Sequence, residues 1–173
     1  NLPDLSAPYR SSPKISHRAW FSPDEYKKLY EATRKRAREP LNPRYKWESE
    51  QLHDYVLFAA NTGVRPDEAR RLQFRDVTIV EDDATGETIL EIEVRGKRGV
   101  GYCKSMAGAV RPFERLKARL RPMRANEPVD VGDGGEPATT GDAAAWRLPK
   151  ATDLMFPKSH RELFKTILDE EGL

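Results

Sequence analysis

Two basic residues stand where they could act on a phosphate. The first is Arg65 in Asn61-Thr62-Gly63-Val64-Arg65-Pro66-Asp67-Glu68-Ala69-Arg70-Arg71-Leu72. Gly63 suits the left-handed residue that ends one helix, and Pro66 suits the first turn of the next, with Asp67 and Glu68 where the dipole favours acids. Arg65 then occupies the corner between two helices. There, free backbone N–H groups and a guanidinium fork could converge on one anion. The same spacing also allows Arg65 simply to pair with Glu68 or to cap the preceding helix. The second is Lys97, in the basic, glycine-rich run Arg95-Gly96-Lys97-Arg98-Gly99-Val100-Gly101. An ammonium on a glycine-flexed turn is mobile enough to reach a phosphodiester. A turn that only touches DNA backbone or solvent is the alternative.

The elements that must position these residues follow from periodicity. Leu52, Tyr55, Val56 and Ala59 recur at helical spacing, which predicts a helix over about Glu48 to Ala60 with that stripe facing a core. Ile89-Leu90-Glu91-Ile92-Glu93-Val94 alternates as a half-buried strand, with Leu90, Ile92 and Val94 on one face. Val77-Thr78-Ile79-Val80 reads as its partner through the turn residues Asp82 to Gly86, and a third short strand is expected over Tyr102 to Ser105. Upstream, Ser22-Pro23-Asp24-Glu25 starts a helix with a capping box, and Tyr26, Leu29, Tyr30, Thr33 and Ala37 carry its stripe to about Glu39. Downstream, Val110, Phe113, Leu116, Lys117 and Leu120 suggest a helix ended by Pro122. A last helix is expected from a second capping box, Ser159 to Glu162, with Leu163, Phe164, Ile167 and Leu168 as its apolar face. His160 reads as a first-turn surface residue.

The run Thr62 to Val77, with Gly63, Arg65, Glu68, Leu72 and Asp76 in order, resembles the first box of the tyrosine recombinase or phage integrase family. That resemblance implies an α+β, mainly α fold: an integrase-like helical catalytic-domain fragment with a small three-stranded antiparallel sheet. It implies that Arg65 grips a scissile phosphate, that Glu68 supports the site, and that Lys97 protonates the leaving 5′ oxygen. The implied reaction of the full-length protein is site-specific DNA recombination or integration, by cleavage and rejoining through a phosphotyrosine link. Double-stranded DNA is the implied partner, with a homo-tetramer on it, and no cofactor is needed. The chain departs from the family pattern downstream. The second box, His-x-x-Arg, is not matched by His160-Arg161-Glu162-Leu163, and no tyrosine follows Tyr102. The fragment alone is therefore expected to be inactive. A type IB topoisomerase fragment and a non-catalytic DNA-binding module remain the alternatives.

Charge is segregated. Lys and Arg number 30 against 28 acids, a formal net charge of only +2, yet between Arg95 and Arg124 Glu114 is the sole acid. Arg95, Arg98, Lys104 and Arg111 in that stretch are candidate DNA contacts, and Lys27, Lys28, Arg34, Lys35, Arg36 and Arg38 form a second basic group. A solvated charged surface would look the same. The 173 residues, 38% hydrophobic and 34% charged, suit one modest core. Cys103 excludes an intramolecular disulfide, His17, His53 and His160 lack metal-ligand spacing, and no run is apolar enough for a membrane span or secretion signal. No metal, no membrane association and a cytoplasmic location are the expectations. Residues 1–20 read as a linker from a preceding core-binding domain, 21–173 as a partial catalytic domain, and about 125–149 as a mobile loop.

Overall fold

The structure is a computed structural model, and it describes residues 20–96, 99–123 and 146–173. Among these the chain is mixed α+β, with five α-helices and a three-stranded antiparallel sheet. Helix α1 (Pro23–Arg38) starts at the expected capping box, where Glu25 N–H donates to Ser22 Oγ at 3.3 Å and Ser22 N–H to Glu25 Oε2 at 2.7 Å. Helix α2 (Lys46–Thr62) ends where Gly63 adopts φ 66°, and the Gly63 N–H closes on the Ala59 carbonyl at 3.0 Å. The one-turn α3 (Pro66–Ala69) follows directly.

Strands β1 (Val77–Glu81), β2 (Thr88–Gly96) and β3 (Gly99–Lys104) form the sheet in chain order. Its register pairs Val77 with Ile92, Ile92 with Cys103, and Gly96 with Gly99. Alternation places Leu90 and Ile92 fully inside and Val94 half-buried, as expected, while Ile89 is buried as well. Helix α4 (Val110–Ala118) is entered through a short 3₁₀ turn, and α5 (Arg161–Glu171) closes the described chain.

α2 lies between two apolar clusters. One gathers Phe58, Leu72, Leu90, Ile92, Phe113, Leu116 and Met155 between the end of α2, the sheet and α4. The other joins α1, α2 and α5 through Leu29, Leu52, Val56 and Ile167. Each large side chain so buried contributes about 1.5–3 kcal/mol. This central position corrects the single-stripe expectation for α2, because Ser49, Gln51, Asp54 and Phe58 are buried beside Leu52 and Val56 while Tyr55 and Ala59 are only half-buried.

Four other expectations change. Lys117 and Leu120 are exposed, since α4 ends at Ala118 and Leu120 lies beyond the helical face. Ser159 makes no capping box: His160 is the N-cap of α5 and has no side-chain cap bond. Far from being a surface residue, His160 is half-buried edge-on to Trp47, with ring centroids 6.5 Å apart, and burial lowers its pKa against the opposing pull of Glu48. The expected loop of about 125–149 is anchored at its far end. There β5 (Trp146–Arg147) pairs with β4 (Arg121–Pro122), and Arg147 pairs with Asp153 at 2.5 Å. The linker reading of residues 1–20 falls, apart from Trp20, outside the described residues, as does most of the loop.

Candidate phosphate site at the Arg65 corner

The corner is set by its backbone. Thr62 Oγ1 donates to the Phe58 carbonyl at 2.8 Å and accepts from Val64 N–H at 3.3 Å, so the last turn of α2 is tied to the chain leaving it. Arg65 is extended at φ −68° and ψ 148°, and Pro66 then starts α3. With only four residues, α3 has little macrodipole to offer, which corrects the expectation of a helix end rich in free N–H groups. The Arg65 N–H is itself taken by Glu68 Oε2 at 3.1 Å. What the corner does supply is a free side chain: Arg65 is 81% exposed, and its Nη1 lies 3.9 Å from Glu68 Oε1, an ion pair too long for a hydrogen bond.

Glu68 is the joint between the corner and the hairpin. Its side chain is only 18% exposed, and Oε1 lies 3.0 Å from where a Cβ on Gly96 would stand. Gly96 is therefore the residue that lets a carboxylate sit against the hairpin. Arg65, Glu68, Val94, Gly96, Gly99, Val100 and Gly101 line one cleft of about 400 Å³. The corner and the root of the glycine hairpin, far apart in sequence, share this concavity. Lys97 and Arg98 lie between Gly96 and Gly99, outside the described residues.

The remaining candidates are not brought to this cleft. Arg95 points to the other face of β2, where Nη2 meets Glu93 Oε1 at 2.7 Å and Asp76 Oδ1 at 3.1 Å. Lys104 pairs with Asp82 at 2.7 Å, and that bond holds the Asp82 carboxyl below the usual carboxylate range. Arg111 lines a different cleft, between α1, α2 and α4. Cys103 lies on β3, and burial, then the nearby Glu68 charge, pushes its thiol pKa up, away from thiolate chemistry.

Sequence reading named Asp76 and Asn61 within the Arg65 motif but gave neither the bracing role that the structure shows. Asp76, 4% exposed, accepts from Gln73 N–H at 2.9 Å and holds Arg95, so it fixes the turn into β1 and steadies the strand that leads to the hairpin. Asn61 holds the other side: its carbonyl accepts from Met106 N–H at 2.8 Å, and its amide lies where a Cβ on Gly108 would stand, 2.4 Å from Oδ1. No local signal marks that contact, because it joins residues far apart in the chain.

Among the described residues no helix is long and apolar enough to cross a membrane. Compared with known protein families, curated proteins and solved structures, the chain matches none.

Proposed function

We propose that this chain carries the phosphate-anchoring part of a DNA breaking-and-rejoining site of the tyrosine recombinase kind. The observation that carries this reading is the shared cleft: an exposed arginine, a half-buried carboxylate beneath it, and the glycine root of the hairpin that bears Lys97. In this reading Arg65 neutralises charge developing on a backbone phosphate under attack, in two-point contact with its non-bridging oxygens. Glu68 keeps the corner folded and limits where the guanidinium can go. Lys97 donates the proton to the departing 5′ oxygen. A tyrosine hydroxyl from outside these 173 residues gives up its proton to solvent as it attacks phosphorus, and a 3′-phosphotyrosyl bond forms as the 5′-oxygen bond breaks; Lys97, having protonated that oxygen, is reprotonated from solvent. A hydroxyl of the partner strand reverses these steps, within a homo-tetramer on double-stranded DNA.

The test uses the full reading frame that encodes this segment and a nicked duplex that traps the covalent adduct. Arg65→Ala should lower the rate of adduct formation by about 10²–10³, and Lys97→Ala should do so only until a better leaving group replaces the 5′ oxygen. Equal adduct formation by wild type and Arg65→Ala defeats the reading. Binding without catalysis is the second reading, favoured by the arginines between α1, α2 and α4. In that case Arg65→Ala removes one phosphate contact and no adduct forms in any variant.

A further inference from the structure

A trough of about 610 Å³ lies between α1, α2 and α4, and it shares no residue with the Arg65 cleft. Arg34 and Arg38 stand one turn apart on α1, and Arg111 and Arg115 one turn apart on α4, so two rows of guanidinium groups face a common floor. That floor is Asp54, fully buried. Its Oδ1 accepts from Arg115 Nε at 2.8 Å, and its Oδ2 accepts from Arg119 Nη2. Both carboxylate oxygens are thus occupied. Arg119 also reaches Glu50 at 3.1 Å, while its Nη1 is buried with no acceptor.

Beyond these pairs the trough holds an excess of cations. Five arginines line it against two carboxylates. Among the described residues no carboxylate lies in ion-pair reach of Arg34, Arg38 or Arg111; Arg34 rests over the Tyr30 ring, 5.9 Å from its centroid. Arg111 sits in the first turn of α4, where the helix dipole opposes a cation and no acid accompanies it. This placement weakens the fold and gathers charge at a concave surface. An uncharged small molecule would gain nothing from it.

The geometry points to the α1–α2–α4 trough as a binding site for successive phosphates of a nucleic-acid backbone, distinct from the Arg65 cleft. Two rows with a one-turn spacing suit a chain of anions better than a single one, and guanidinium forks suit phosphate oxygens. The nucleic-acid identity of the ligand rests on the DNA reading above; the phosphate chemistry does not.

The test titrates a labelled duplex into the 173-residue chain at several salt concentrations, following anisotropy and the ring resonances of His53, which lines the trough. Three proteins are compared: wild type, the combined Arg34→Ala, Arg38→Ala and Arg111→Ala variant, and Arg65→Ala. All four substituted side chains are exposed, and unchanged circular dichroism and melting serve as the folding control. The combined variant should lose about 2–3 from the slope of log affinity against log salt, equally on unrelated sequences. The His53 shifts of the wild type should vanish in it. An unchanged slope in the folded combined variant, or no duplex binding by wild type at low salt, overturns the proposal. So does a His53 shift produced by inorganic tripolyphosphate and not by duplex, which assigns the trough to a small polyphosphate. If only Arg65→Ala weakens binding, the trough fails and the recombinase reading stands. If only the combined variant does and Arg65 proves dispensable for adduct formation, the trough stands and that reading fails.

Discussion

Arginine beside carboxylate occurs both in the α1–α2–α4 trough and at the Arg65 corner, and the two places use it in opposite ways. In the α1–α2–α4 trough Arg119 is 13% exposed and fixed by Asp54 and Glu50, and Asp54 has no solvent access. At the corner Arg65 is 81% exposed, and its carboxylate partner is bonded to the backbone instead of to the guanidinium. Desolvation explains the difference. A fully buried carboxylate needs its cations, so the guanidinium groups around it are committed to the fold. A carboxylate satisfied by an N–H leaves its neighbouring arginine available to something else. Proximity of opposite charges therefore says little about function until burial and the acid's other bonds are known.

The sharpest way to break this contrast is to remove the buried acid. Asp54→Ala leaves Arg119 and Arg115 without their shared acceptor and opens space at the centre of α2. A loss of about 3 kcal/mol in unfolding free energy is expected by chemical denaturation. A loss below about 1 kcal/mol would mean that the pairs are dispensable and the two surfaces are alike.

Acid titration supplies the next largest effect, at a third arginine–carboxylate cluster. Asp153 is held at a pKa of about 2, chiefly by its hydrogen bonds from Arg147, with Arg121 also near. A carboxyl lowered on folding stabilises the native state above its unfolded pKa, and that contribution is lost as pH falls through the folded one. Stability should thus decline between about pH 4 and pH 2, by about 1–2 kcal/mol from this group after solvent screening. Asp153→Asn should flatten that part of the wild-type curve. An unaltered curve would show that the β4–β5 closure does not depend on ionised Asp153.

Much of the frame could be read from local rules. The Ser22 cap, the Gly63 stop, the Pro66 start and the β1–β2 hairpin are set by neighbours in sequence, and all four are where pattern places them. Arg65 and Glu68 were legible as a corner for the same reason. Hidden were features that need three dimensions. Asp54 is a charged residue in a helix that pattern reads as one-sided, and its burial depends on Arg115 and Arg119, more than sixty residues on. Met155 and Phe156 enter the core because Met155 N–H reaches the Leu72 carbonyl at 2.9 Å, a pairing with no periodic signature. His160 escaped for a related reason: the ring that covers it, Trp47, comes from another helix.

Two smaller effects sharpen the comparison at the corner itself. Glu68→Ala removes the acceptor of the Arg65 N–H and the contact against Gly96, and about 1 kcal/mol should be lost, as for other helix-start caps. Arg65→Ala should change stability by less than about 0.5 kcal/mol, because the side chain is mostly in water and its ion pair with Glu68 is 3.9 Å long. The order of the two matters more than either value. If thermal and denaturant unfolding rank Glu68→Ala as costly and Arg65→Ala as neutral, the carboxylate belongs to the fold and the guanidinium is free for a ligand. If Arg65→Ala is the more damaging, the arginine is a structural partner like Arg119, and the case for a phosphate at the corner falls with it.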